Sequence, residues 1–126
     1  MSGERILVVE DNDKNMKLFR DVLAAAGYRT LEATTGSEAV DLAAEQEPDL
    51  VLMDIQLPDL DGVQALHRLR ADARTATIPV LALTAQAMHG DRERFLEAGF
   101  DGYLSKPVNV RELIGVVREH CDRLAG

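Results

Sequence analysis

There is no tryptophan in this sequence, and aromatic residues make up only 4% of it. Little is therefore available for a platform on which successive nucleic-acid bases could stack. Cysteine occurs once, at Cys121, so an internal disulfide is excluded and a reducing compartment is expected. Basic charge is also scarce: 14 lysines and arginines face 22 aspartates and glutamates, for a net charge of −8. That sign argues against non-specific attachment to nucleic acid or to an anionic membrane, and leaves a protein partner open. Long apolar runs are missing too. Met1 to Arg5 leads straight into the short run Ile6-Leu7-Val8-Val9, too short for a secretion signal and far short of the roughly 20 residues that span a membrane. A cytoplasmic protein is expected.

What is present is a recurring pattern of short apolar runs, each ending in a polar residue. In Leu50-Val51-Leu52-Met53-Asp54 four apolar residues stop at a carboxylate, as in a strand buried on both faces of a parallel sheet. Pro48 precedes it, and Pro58 and Gly62 mark a loop after it. Ile6–Val9 runs into Glu10 and Asp11, and Pro79–Leu83 into Thr84. A weaker strand covers Tyr28–Ala33, and a short last one, Gly102–Leu104, ends at Ser105-Lys106-Pro107. Helical spacing lies between them. Asn12 caps a helix with Met16, Phe19, Val22, Leu23 and Ala26 on its buried face, closed by Gly27. Thr35 with Glu38 resembles a capping box for a helix Gly36–Glu47 that Pro48 stops. Val63, Leu66 and Leu69 mark a third helix. Met88–Ala98 is a short fourth one with a polar, solvated side at Asp91–Arg94. A fifth, introduced by Asn109 and Glu112, buries Leu113, Val116, Val117 and Leu124.

Strand and helix alternating five times specify an α/β fold, a doubly wound parallel sheet with helices on both faces. Right-handed crossovers point every strand the same way, so Glu10, Asp11, Asp54, Thr84 and Lys106 share one edge, the ligand-binding edge of such sheets. Three carboxylates in one crevice repel. At about 4 Å and an effective dielectric near 20, each like-charge pair costs about 4 kcal/mol, more than one lysine offsets. Either one acid stays protonated or a divalent cation binds. Mg²⁺ suits oxygen ligands, retained waters and a phosphate. Lysine and a threonine hydroxyl suit the remaining phosphate oxygens, and a carboxylate beside them is a credible nucleophile toward phosphorus.

These segments, Val8-Val9-Glu10-Asp11-Asn12, Leu52-Met53-Asp54 through Gly62, Leu83-Thr84-Ala85 and Ser105-Lys106-Pro107, together resemble the receiver domain of two-component response regulators. The likeness runs from about Arg5 to Leu124 and is nearest to the stand-alone cell-division regulators of the DivK type. It implies a flavodoxin-like fold with strand order 2-1-3-4-5 and a phosphoacceptor switch. Asp54 would take a phosphoryl group from a sensor histidine kinase or a histidine phosphotransfer protein. Glu10, Asp11, Asp54 and the backbone carbonyl of Gln56 would hold Mg²⁺, with Asp11 a direct ligand. Thr84 would be the switch hydroxyl, Tyr103 the coupled aromatic, and Lys106 the phosphate-binding cation, joined to Pro107 by a cis bond. Gln56 and Gln86 would flank the phosphoryl site and bear on its hydrolysis. The downstream protein target would dock on the fourth helix, last strand and last helix.

Other readings are weaker. Asp59-Leu60-Asp61-Gly62 resembles the nucleophile motif of haloacid-dehalogenase-type phosphatases, but a loop rather than a strand precedes it. Asp11–Asn15 starts like a calcium loop, yet Met16 and Val22 stand where glycine and glutamate are needed. In a flavodoxin-like redox protein, Glu10 and Asp11 would repel a flavin phosphate. A small phosphatase using Asp54 is the rival of another class, which steady turnover on phosphomonoesters would reveal. His67, His89 and His120 lack ligand spacing and read as surface residues. Tyr103 reads equally as a packing residue. The expectation is a single receiver domain over 1–126, without an output domain, catalysing only its own phosphorylation and dephosphorylation. The start at Met1 and the helix ending near Leu124 favour a complete protein over an excised receiver.

Overall fold

The computed structural model describes residues 4–85 and 91–125, with side chains omitted at 91, 92 and 122–125. Five strands, β1 Arg5–Val9, β2 Arg29–Ala33, β3 Leu50–Asp54, β4 Val80–Thr84 and β5 Gly102–Ser105, alternate with five helices. These are α1 Asp13–Ala25, α2 Gly36–Gln46, α3 Gly62–Ala71, α4 Asp91–Ala98 and α5 Val110–Ala125. All strand pairs are parallel, in the order β2-β1-β3-β4-β5. The chain leaves β1 toward one side and returns to β3 on the other, which opens a crevice beyond the carboxyl ends of β1 and β3. The doubly wound fold is thus as expected. The fourth helix is described only from Asp91, and the expected start at Met88, with Gln86, His89 and the burial of Leu124, lies outside the described residues.

Period-two alternation in the strands divides the core in two. Ile6, Val8, Leu50, Leu52, Leu81 and Leu83 join Phe19 and Leu23 of α1 and Leu113 and Val117 of α5 on one side of the sheet. Leu7, Val9, Val51, Met53, Val80 and Ala82 join Ala39 and Ala43 of α2, Leu66 and Leu69 of α3 and Phe95 of α4 on the other. β1, β3 and β4 are therefore buried on both faces, which explains their unbroken apolar runs. Val22, Ala26, Val40 and Val116, expected in the core, are partly buried at its margin. No helix among the described residues is long and apolar enough to cross a membrane.

Helix ends follow local chemistry, with some departures. Asn12 caps α1 through Asn15 N, and Gly27 follows at φ 97°. Thr35 Oγ1 accepts from Glu38 N as expected, but the Glu38 carboxylate returns to Thr34 N, one residue early, at 2.7 Å. Asn109 accepts from Glu112 N at 3.1 Å. The complete reciprocal box is at α3, between Asp61 and Gln64. Beyond α3, the polar connection to β4 is held by Arg70, whose guanidinium donates to Ile78 O at 2.7 Å and to Asp101 Oδ2 at 3.0 Å.

α2 ends at Gln46, just before the cap Glu47 and Pro48, where the sequence expects it to stop. Glu47 takes the left-handed conformation at φ 46° while its N–H still bonds Ala43 O. That conformation costs a residue with a Cβ about 1–2 kcal/mol, and glycine largely avoids it. Glu47→Gly should therefore raise the stability of the fold by about 0.5–1 kcal/mol, after allowing for the greater freedom of glycine in the unfolded chain. Urea unfolding of both proteins checks this, and a lower midpoint for the variant would contradict it.

Candidate functional site

Strand register determines which side chains meet at the crevice. Val9 lies opposite Met53, so Glu10 and Asp54 emerge side by side from β1 and β3. Thr84 lies opposite Ser105, and Lys106 N donates to Thr84 O at 2.7 Å. Lys106 is joined to Pro107 by a cis peptide bond. Its ammonium reaches between the acids, 2.9 Å from Asp54 Oδ2 and 2.7 Å from Glu10 Oε1. Asp54 Oδ1 accepts from Gln56 N at 3.0 Å, and Glu10 Oε2 from Asn12 N at 3.1 Å. Glu10 is 1% and Asp54 5% exposed, whereas Asp11 is exposed.

A cleft of about 600 Å³ opens over these groups, lined by Glu10, Asp11, Asp54, Gln56, Thr84 and Lys106 among others. Tyr103 does not line it. The tyrosine packs at the edge of the core, its ring centroid 6.1 Å from that of Phe95, and Phe95 does line the cleft. The lining residues that the sequence does not mark as part of the site include Asn12 and Asn15 at the start of α1, and Arg94 and Phe95 of α4. The sequence places Arg94 on a solvated face. It is exposed, with its guanidinium carbon 5.1 Å above the Phe95 ring, and it also borders the cleft. No local pattern signals this, because α4 reaches the cleft only through tertiary packing.

The carboxylates fit a hard cation. One oxygen each from Glu10, Asp11 and Asp54 lie within 4.8 Å of one another, and oxygen is the ligand that Mg²⁺ takes. Glu10 Oε1 is buried, and the ammonium beside it does not meet hydrogen-bond geometry. Burial pushes the Glu10 carboxyl above its ordinary range, and the nearby Asp54 adds to this, against the opposing pull of Lys106 and the Asn12 amide. For Lys106, burial alone would lower the pKa, but the close carboxylates of Glu10 and Asp54 outweigh burial and raise it. The acids are thus incompletely neutralised by the protein alone, which is the condition under which a divalent cation is favoured.

The two motifs set aside in the sequence have other uses. Asp59 bonds the backbone of Gly36 and Ser37, and Asp61 caps α3. Asn12 caps α1, so Asp11–Asn15 enters a helix and not a calcium loop.

Residues 6–118 match the family described as the response regulator receiver domain. The chain belongs to that family. Among curated relatives it is 47% identical over 115 residues to the polar-differentiation response regulator DivK of Brucella ovis and of Brucella anthropi, covering 91% of this chain and 94% of each relative. Among solved structures it is similar to the receiver domain of a sensor histidine kinase from Pseudomonas aeruginosa, at 41% identity and TM-score 0.86 over 94% of this chain and 97% of that one. That neighbour holds a magnesium ion in its active-site cleft. A Francisella response regulator receiver domain aligns at 30% identity and TM-score 0.89, covering 96% of this chain and 98% of the other. The chain is a receiver of two-component signalling.

The raised pKa of Glu10 gives the metal-free receiver a definite pH dependence. The unfolded chain releases this proton near 4.5, before the folded one does, so stability falls as pH rises from that value through the folded pKa. Lys106 keeps Asp54 as a partner when Glu10→Gln removes the buried charge, so this variant should be more stable than wild type at pH 7 in the presence of a chelator. Chemical denaturation at pH 4.5 and 7 measures it. A variant less stable than wild type at pH 7 would contradict the strained carboxylate.

Proposed function

We propose that this receiver accepts a phosphoryl group on Asp54 and transmits that event to a protein partner. The observation that carries the reading is the position of Asp54: a nearly buried carboxylate held by Lys106, beside two further acids, at the mouth of an open cleft. A phosphohistidine on a sensor histidine kinase or a histidine phosphotransfer protein is the donor. An Asp54 oxygen attacks phosphorus, the phosphorus–nitrogen bond breaks, and its electron pair returns to the imidazole. Glu10, Asp11, Asp54 and the backbone carbonyl of Gln56 would hold Mg²⁺, Asp11 most directly. When bound, the cation offsets negative charge on the transferring phosphoryl oxygens. The Lys106 ammonium, already within 3 Å of Asp54, pairs with those oxygens as they arrive. Hydrolysis of the acyl phosphate returns the switch to its resting state, so the turnover is of the receiver itself.

Output needs an element with two arrangements that the phosphoryl group distinguishes. The Thr84 hydroxyl lines the cleft and can donate to a phosphoryl oxygen. Tyr103, on the next strand, packs on Phe95 of α4, so a shift at Thr84 has a packed route to α4, β5 and α5. That face carries exposed Leu96 and a recess of about 370 Å³ lined by Leu96, Tyr103, Val116 and His120 among others, suited to a downstream protein.

Two outcomes test this. Intact mass after acetyl phosphate should show one phosphoryl adduct in wild type with Mg²⁺, little without it, and none in Asp54→Asn; an unchanged adduct in the variant moves the site elsewhere. Thr84→Ala should still be phosphorylated but lose most of the phosphorylation-dependent gain in partner affinity, about 1–3 kcal/mol. Partner titration of both forms of both proteins measures this, and full retention of the gain would remove Thr84 from the switch.

A further inference from the structure

Asp59 is not among the residues assigned to the phosphoryl chemistry, yet its carboxylate joins two separate segments of the chain. It lies in the loop between β3 and α3. Its Oδ1 accepts from Gly36 N at 2.7 Å and its Oδ2 from Ser37 N at 3.0 Å. Those amides are at the start of α2, where backbone donors have no partner within the helix. The Ser37 side chain adds a further bond, and together these donors hold the Asp59 carboxyl well below the usual carboxylate range. The fit is close as well as polar, since a Cβ added at Gly36 would stand 2.8 Å from Leu60 Cβ.

The same loop is fixed at its other side. Gly62 N donates to Ile55 O at 2.9 Å, and a Cβ at Gly62 would lie 2.8 Å from Asp54 O and 2.9 Å from Ile55 Cα. Gln56 N is tied to Asp54 Oδ1. Between these anchors, Gln56, Leu57 and Pro58 form one wall of the cleft. The loop therefore has two attachments, one at the phosphoacceptor strand and one, through Asp59, at α2.

We propose that Asp59 is a positioning residue for the cation site, clamping the loop to α2 so that Gln56 stands correctly beside Glu10, Asp11 and Asp54. The proposal rests on the phosphoacceptor reading above. Without the clamp, the loop samples other positions, and a cation must restrict it on binding, which weakens apparent affinity. The coupling is reciprocal: cation binding must in turn tighten the contact at Gly36 and Ser37.

The test is calorimetric titration of Mg²⁺ into wild type, Asp59→Asn, Asp59→Ala and Gly36→Ala, with thermal melting to establish that each is folded. Asp59→Ala removes the clamp, and Gly36→Ala forces the loop off α2 without changing charge. Both should raise the Mg²⁺ dissociation constant roughly tenfold, as loss of an outer support commonly does. Asp59→Asn, which keeps the shape and one acceptor, should fall between them and wild type. In wild type, Mg²⁺ should also slow hydrogen exchange at the Gly36 and Ser37 amides. Wild-type affinity in Asp59→Ala would overturn the proposal. So would weakening confined to the Asp59 variants, which would indicate charge alone, or exchange at the two amides indifferent to Mg²⁺. A wild type that binds no Mg²⁺ would instead overturn the metal reading on which the clamp rests.

Discussion

Lys106 Nζ lies 2.9 Å from Asp54 and 2.7 Å from Glu10, and the rest of the structure depends on that arrangement of one cation among more negative charge than it can offset. Two nearly buried carboxylates side by side are unfavourable wherever solvent is excluded. They are tolerated because each leaves the end of a strand that is itself locked into the sheet. β1 and β3 are covered on both faces by independent apolar clusters, so the strand ends cannot separate without opening the core. The burial of Ile6–Val9 and Leu50–Met53 thus stabilises an electrostatic arrangement that local chemistry alone would disperse.

The same constraint explains why the site is open on one side. A fully enclosed cluster would hold its acids protonated; a cleft of about 600 Å³ gives access to ions and to a donor. Asp11, the exposed member, supplies a carboxylate at the rim without adding to the buried repulsion. Lys106 and Thr84 arrive from β5 and β4, on the far side of Asp54 from Glu10. The Lys106 ammonium nevertheless reaches between the two acids, so the site sets one donor among the carboxylates and another, Thr84, beside Asp54.

Much of this was readable in the sequence because it depends on order along the chain. Apolar runs ending in Glu10, Asp54, Thr84 and before Lys106 specify strands, and parallel winding brings their ends together whatever the loops do. Helix starts at Asn12 and Thr35 were legible for the same local reason. What was not legible depends on contacts between segments far apart. Arg70 bonds Asp101, and Asp59 bonds the start of α2. In sequence each is an ordinary charged residue, and only the packed fold gives it a partner. Arg94 and Phe95 follow the same rule, since the orientation of α4 against β5 decides that they border the cleft.

Under the proposed function, the carboxylate of Asp54, and no other in the cluster, forms the acyl phosphate, and does so with Mg²⁺. Reductive trapping tests it most directly. The receiver is treated with a phosphohistidine donor or acetyl phosphate, with or without Mg²⁺, then reduced with borohydride, which converts an aspartyl phosphate to homoserine, and its peptides are sequenced. Homoserine is expected at position 54 alone, formed in the presence of Mg²⁺ and nearly absent in the presence of a chelator. Homoserine at position 11, or trapping at position 54 that is indifferent to Mg²⁺, would contradict the proposed function.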